Sequence, residues 1–242
     1  MIWATGWKPY NASKITAYSY DLSPDIINNV EMERLAAHDG PTGGKILRPS
    51  NGEPAKRIAL IQCAGSRDTN HLPYCSRICC LGSMKHAAYV REQYEDAVVD
   101  IYYIDLRAHD KLEAFYLRVS TDPQVNFIKS KPGHIEVEDD GTPVICGEDT
   151  QSREIYARSY DLVVLALGME ASALSDIDAL HMGNQDDYGF IVPLPGDEPG
   201  MPSAGVASGP LDVSMSVQSA TAAALSAIQA IRNADTQGAQ TG

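Results

Sequence analysis

The sequence predicts an α/β fold, and three observations carry that reading. Short apolar runs of the buried parallel-strand type occur at 57–62, 98–105 and 160–168. Helical patterns lie between or after them, at 79–94, 111–119 and about 212–232. Two apolar runs, Ile2-Trp3-Ala4-Thr5-Gly6 and the one from Tyr160 to Gly168, end alike at a glycine. No internal repeat is present beyond that echo.

Taken in order, the N-terminal run reads as the end of a buried strand whose neighbours lie elsewhere in the chain. Residues 8–29 are polar and turn-rich, and Asn29 is placed to cap a short helix over 30–37. Gly40-Pro41-Thr42-Gly43-Gly44-Lys45 is a small-residue loop without the spacing of a phosphate-binding P-loop. Residues 48–56 read as a linker. The strand at 57–62 leads into a helix over 79–94, with Leu81, Met84, Ala88 and Tyr89 as its expected inner face. The pattern continues with a strand at 98–105, a helix at 111–119 and a strand at 125–128. A hairpin is expected over 135–137 and 142–145, around Asp139-Asp140-Gly141. A short helix near 171–180 and the long C-terminal helix complete the chain, with a glycine- and glutamine-rich tail from Thr236 read as disordered.

Composition bounds the function. The 242 residues hold 19 Lys and Arg against 32 Asp and Glu, a net charge of −13. Such a chain repels nucleic acid and anionic lipid surfaces, so neither is an expected partner. Hydrophobic content of 44% suits a soluble, core-forming protein, and no apolar run reaches the roughly 20 residues that span a bilayer. The first residues do not read as a signal peptide. Five cysteines, two of them adjacent, suit reduced thiols or metal ligands better than a disulfide framework.

The chemistry concentrates in Gln62-Cys63-Ala64-Gly65-Ser66-Arg67-Asp68 and Tyr74-Cys75-Ser76-Arg77-Ile78-Cys79-Cys80. In a nucleotide-binding βαβ unit the strand at 57–62 would lead into G-x-G-x-x-G. Here one glycine remains and cysteines stand in its place. Four thiols at the spacing C-x11-C-x3-C-C suit an iron–sulfur cluster, which takes soft thiolates at wider spacings than a single ion. Structural zinc prefers C-x2–4-C knuckles and redox thiols prefer C-x-x-C; buried, unliganded cysteines are the plain alternative. Cys146, on the hairpin, reads as a lone thiol. Arg67 and Arg77 are placed to bond a cluster sulfide or to pair with Asp68. Lys85 lies five residues beyond Cys80, about one and a half helical turns on. His71 and His86 are left out, because four cysteines complete a ligand set. Before the last helix, Gly205 to Pro210 form a small-residue turn that would present free N–H groups to an anionic cofactor.

These motifs resemble the A subunit of heterodisulfide reductase, and within that family its relative in the quinone-interacting membrane-bound oxidoreductase complex. The resemblance extends through Ala4-Thr5-Gly6-Trp7-Lys8-Pro9-Tyr10, Glu31-Met32-Glu33-Arg34-Leu35, Gly40 to Ile46, Tyr103 to Ala108, Asp161 to Met169 and Gly209-Pro210-Leu211-Asp212-Val213. It implies a thioredoxin-reductase-like flavoprotein fold with two dinucleotide-binding domains. It implies a [4Fe–4S] cluster on Cys63, Cys75, Cys79 and Cys80, and FAD beside Thr5, Gly6, Gly168, Gly205, Val206, Gly209, Pro210 and Val213. Lys85 matches a lysine that approaches the flavin and would stabilise its anionic reduced form, and Glu33 matches an acidic residue of the same site. Two departures stand out. The family's G-x-G-x-x-G strand–turn–helix is not in these residues, and Val206 stands where many flavoenzymes carry an acid. The chain therefore reads as an N-terminally truncated form of the family core.

The expected organisation is a partial FAD domain over 1–50, an inserted NAD-like domain carrying the cluster over 51–155, and the returning FAD domain over 156–242. The expected function is electron transfer between FAD and the cluster, within a multi-subunit redox complex that is cytoplasmic or peripheral to a membrane through its partners. An NAD(P)H-linked dithiol–disulfide reductase and a zinc-binding interaction module are the competing readings.

Overall fold

A computed structural model describes residues 1–108, 110–172, 184–192 and 202–238. In chain order its strands and α-helices are β1 (Trp7–Pro9), β2 (Ile26–Asn28), α1 (Asn29–Ala36), β3 (Arg57–Ala64), α2 (Cys79–Gln93), β4 (Val98–Tyr103), α3 (Glu113–Ser120) and β5 (Val125–Lys129). Then follow β6 (His134–Val137), β7 (Pro143–Glu148), β8 (Ile155–Ser159), β9 (Leu162–Leu167), β10 (Met169–Ala171), β11 (Asn184–Gln185), β12 (Ile191–Val192) and α4 (Val213–Gly238). They form two compact units, Tyr10–Gly168 and Met1–Pro9 with Met169–Gly242.

The unit Tyr10–Gly168 is built on a five-stranded sheet of order β2-β9-β3-β4-β5, in which every neighbouring pair is parallel. Both faces of this sheet are covered, which is why β3 and β9 read as nearly continuous apolar runs. Alternate side chains of β3 serve the two faces. Ile58 and Leu60 pack with Met32 and Leu35 of α1, Met84 and Val90 of α2, and Val119 of α3. Ala59 and Ile61 pack on the other side with Ile135, Ile145 and Tyr156 of the antiparallel sheet β6-β7-β8, and with Tyr10, Ile15 and Tyr18.

Several boundaries differ from the sequence reading, each for a physical reason. The units divide at 9/10 and 168/169, not near 50 and 155, because β2 and β9 are strands of the same sheet as β3. The expected hairpin gains a third strand, β8, paired with β7. Asn28, not Asn29, caps α1. Its side chain accepts from Val30 and Glu31 N–H while Glu31 accepts from Asn28 N–H, a reciprocal capping box. The inner face of α2 is Cys79, Ser83, Met84, His86, Ala87 and Val90; of the four residues expected there, only Met84 is fully buried. The expected helix over 171–180 lies almost wholly outside the described residues. The last helix forms, but it runs to Gly238, past the expected end near Arg232 and into the tail that was read as disordered from Thr236.

Residues 48–56 are no free linker. The carboxylate of Asp25 is buried and accepts from Arg48 Nη2 at 2.8 Å, Arg48 Nε at 3.1 Å, Ser50 N at 3.0 Å and Ser50 Oγ at 2.7 Å. Ile46 and Ala55 are fully buried beside it. A buried carboxylate needs its cation far more than an exposed one does. Arg48→Ala is therefore expected to destabilise the chain by about 3 kcal/mol, read as a lowered urea midpoint with unchanged slope. A midpoint equal to that of the parent would contradict this anchoring role.

In the other unit, Trp3 pairs in parallel with Ser203; its N–H donates to Pro202 O at 2.9 Å and its carbonyl accepts from Ala204 N at 2.7 Å. The expected N-terminal strand is thus reduced to a single bridge. Trp3, Ile191 and Ala207 form a small apolar cluster. β1 pairs antiparallel with β10, and β11 with β12.

Candidate metal centre and its flanking charges

The centre begins where β3 ends. Against β9 the ladder runs Ile61↔Leu165 and then Ala64↔Leu167, so β3 carries one extra residue. This bulge puts Cys63 at φ 57°, in the left-handed region, and turns the chain out of the sheet. The following loop is closed by Ser66 N to Cys63 O at 3.0 Å, Arg67 N to Tyr74 O at 3.0 Å and Leu72 N to Gly65 O at 3.2 Å. Arg67 and Arg77 also hold left-handed φ values of 55° and 65°. Such a conformation costs a residue with a Cβ roughly 1–2 kcal/mol. It persists where the surroundings over-determine it, as at ligand sites. The loop packs on Gly168, where a Cβ would stand 2.3 Å from Ser66 Oγ and 2.8 Å from Leu72 Cδ1. Close packing alone accounts for glycine at 168.

The four cysteines of the run are free thiols, near enough for their charges to disfavour one another's ionisation. Cys63, Cys79 and Cys80 are buried and Cys75 is half-buried. Burial pushes the Cys63 thiol up to about 11, and the charges of Cys80 and Cys75 push the same way while Arg67 opposes them. Cys79 is raised by burial and by the other three sulfurs, Cys80 by burial and by Cys75. Each thiolate thus opposes the next, a conflict that a shared cationic centre removes. Backbone N–H groups already face three of the sulfurs: Arg77 N lies 3.4 Å from Cys75 Sγ, and the N–H groups of Cys63 and Arg107 favour the anionic forms of Cys79 and Cys80. Cys79 and Cys80 open α2, whose N-terminus has no side-chain cap among the described residues. Its free N–H groups favour negative charge there. Four convergent soft donors with N–H groups aimed at them fit a [4Fe–4S] cluster. Gln62 and Ser83 flank the run with buried amide and hydroxyl atoms that lack partners among the described residues.

The charges around this centre differ from expectation. Arg67 pairs with Asp105 at 2.7 Å, not with Asp68, and Arg107 bonds the same carboxylate at 3.3 Å. Asp68 is taken by Lys131 at 2.6 Å. His71 bonds Tyr10 Oη at 2.9 Å.

Lys85 and Glu33, which the sequence places in one site by resemblance, are in contact. Lys85 Nζ lies 2.6 Å from Glu33 Oε1. His86 Nε2, on a buried ring, reaches the same oxygen at 2.7 Å. The bond to His86 is the main reason that the Glu33 carboxyl falls to about 2; burial opposes it and Lys85 reinforces it. Burial disfavours the Lys85 ammonium, yet Glu33 holds its pKa above the ordinary value. Sequence reasoning set His86 aside. The signal available was its place on the helical row 79-83-86-90, where a histidine must find a polar partner. Because the Glu33 pKa is depressed in the folded state, the stability it adds is complete above about pH 4.5 and is lost as pH falls toward 2. Glu33→Gln is expected to flatten the urea-midpoint profile over that window. Parallel profiles for the two proteins would contradict the assignment.

The expected flavin-side residues, Gly168 apart, lie in the unit Met1–Pro9 with Met169–Gly242. The parallel bridge of Trp3 and Ser203 sends Thr5 and Gly6 the same way as Gly205 and Val206, which begin a short 3₁₀ turn, Gly205–Ser208. Gly6 is at φ 71° and Gly209 at φ 153°, and a Cβ on either would meet nothing within 4 Å. Both leave open backbone that a planar ring or a phosphate can approach, which fits FAD. The helix end fits less well. Gly205 N donates to Ser219 Oγ at 3.1 Å, and Asp212 Oδ1 accepts from Met215 N at 2.9 Å. A carboxylate thus already occupies the positive end of α4, ahead of Val213, where a bound anion was expected.

No protein-family model matches the chain. Among curated proteins it is 38% identical to an iron–sulfur A subunit of CoB–CoM heterodisulfide reductase from Methanopyrus kandleri, over 96% of this chain and 37% of the relative. It is 36% identical to the A subunit of the ferredoxin/F(420)H(2)-dependent CoB–CoM heterodisulfide reductase of Methanosarcina acetivorans, over 95% of the chain and 30% of the relative. It is also 36% identical to the A subunit of the H(2):CoB–CoM heterodisulfide,ferredoxin reductase of Methanothermobacter thermautotrophicus, over 93% and 36% respectively. The chain therefore spans about a third of the length of these relatives. Among solved structures, thioredoxin reductase of Lactococcus lactis superposes with a TM-score of 0.54 at 16% identity, over 95% of this chain and 65% of that one. The flavoprotein disulfide reductase RclA of Escherichia coli gives 0.53 at 12% identity, over 90% and 42%. These two show a thioredoxin-reductase-like fold. The sequence matches extend over nearly all of the 242 residues, and the curated relatives that they identify are A subunits of heterodisulfide reductase.

Proposed function

We propose that the chain carries electrons between FAD and a [4Fe–4S] cluster in a heterodisulfide-reductase-like or quinone-interacting redox complex. The observation that carries this reading is the convergence of Cys63, Cys75, Cys79 and Cys80 where a nicotinamide phosphate turn would stand, in a chain whose curated relatives are A subunits of heterodisulfide reductase. Held by those four thiolates, the cluster supplies one-electron storage. The chain's own residues set the conditions for it. The bulge at Cys63 and the start of α2 fix the sulfurs, and the backbone N–H groups beside them favour negative charge.

Thr5, Gly6, Gly205, Val206, Gly209, Pro210 and Val213 are the proposed flavin contacts, with Gly168 as the last member of the set. Lys85 supplies a positive charge that favours reduced flavin, and Glu33, gripped by His86, governs how much of that charge is free. Expected partners are other redox subunits, since the relatives are themselves named as subunits of reductase complexes. No helix among the described residues is long and apolar enough to cross a membrane. The alternative of a nicotinamide-linked dithiol reductase is disfavoured by the cysteine-bearing turn after Ile61, which lacks the glycines that admit a pyrophosphate.

The test is FAD titration into this chain and into a form extended upstream. The extended form is expected to bind FAD, and its Lys85→Ala variant to show a lower flavin reduction potential. An extended form without FAD affinity would overturn the flavoprotein reading, and an unshifted potential would remove Lys85 from the site.

A further inference from the structure

We propose that His134, Glu136 and Cys146 form a second metal site, which takes one zinc ion on the outer face of the three-stranded sheet. The register brings them together. In the antiparallel pair β6–β7, His134 stands directly opposite Cys146, and Glu136 is two residues along on the same face. Cys146 is therefore not the lone thiol that its sequence context suggests. The three ligand atoms all lie within 4.8 Å of one another, and His134 Nε2 is 3.1 Å from Glu136 Oε1.

A tetrahedral zinc ion with bonds of about 2.0–2.3 Å sets its ligand atoms about 3.3–3.7 Å apart. The observed spread thus closes by side-chain rotation of about 1 Å, without movement of the strands. The strands themselves are fixed from the opposite face, where Ile135 and Ile145 are buried in the core. Imidazole, thiolate and carboxylate together are a zinc donor set, and a single thiol excludes the iron–sulfur chemistry of the cysteine run. The three residues also line a groove of about 870 Å³ with Lys131, Glu148 and Tyr156. That groove leaves room for water as a fourth ligand. On binding, the Cys146 thiol releases its proton to solvent and the sulfur bonds the metal, so no oxidant or reductant is involved.

The four-cysteine run is itself a proposed metal site, so the test reads Cys146 by itself. The purified chain is treated with iodoacetamide with and without Zn²⁺, and the alkylation of each cysteine peptide is followed by mass spectrometry. Zinc is expected to slow alkylation of Cys146 roughly tenfold, because a metal-bound sulfur is a poor nucleophile. His134→Ala and, separately, Glu136→Gln are expected to abolish most of that protection while protection of the four-cysteine run is unchanged. Both substituted side chains are exposed, at 51% and 65%, so the fold does not depend on them. Alkylation of Cys146 at the same rate with and without zinc would overturn the proposal, as would protection that survives in both variants.

Discussion

The left-handed turn at Cys63 is the constraint from which the rest of the candidate centre follows. One extra residue in β3 breaks the ladder with β9 and lifts Cys63 out of the sheet's alternation. The loop that leaves this point returns onto Gly168, at the end of the very strand from which the ladder slipped. That contact admits no side chain at 168. Loop, strand end and the start of α2 are thereby locked into one piece, and the four sulfurs are carried by it. Three non-glycine residues with positive φ between Cys63 and Cys80 show how much local strain this arrangement holds.

Electrostatics then shapes what the piece can hold. Cys63, Cys79 and Cys80 are buried, and neighbouring sulfurs oppose their ionisation, so these three thiols are poor acids. N–H groups, the N-terminus of α2 and Arg67 all favour the anionic form. A metal centre held by these thiolates, as proposed, would offset the negative charge that they otherwise oppose in one another. Further along α2, Lys85 and the buried His86 share a single carboxylate oxygen of Glu33. There the carboxylate is held ionised while the lysine keeps its charge.

Much of this was legible in the residues. The apolar runs of β3, β4 and β9 announce a parallel sheet, and the cysteine run marks the turn between β3 and α2. What was not legible has a common cause. A left-handed cysteine leaves no mark in sequence, because the position that usually signals such a turn is glycine. The inner face of α2 was read only in part: of Leu81, Met84 and Ala88, Met84 alone is fully buried. The helix instead buries the row through Cys79, Ser83 and His86, in which His86 finds its partner on a distant segment. The Glu33–His86 contact joins residues 53 apart, and Cys146 meets His134 only through strand register. Asp25 likewise ties 48–56 to the folded unit through a long-range ion pair that local composition hides.

The central claim is that Cys63, Cys75, Cys79 and Cys80 hold one [4Fe–4S] cluster. Anaerobic reconstitution with iron and sulfide, followed by metal analysis and electron paramagnetic resonance of the dithionite-reduced protein, tests it most directly. The account predicts about four irons and four sulfides per chain and a reduced-cluster signal, with both lost on Cys79→Ser and kept on Cys146→Ser. Tight zinc without iron at the four-cysteine run, or a cluster that survives loss of Cys79, would contradict it.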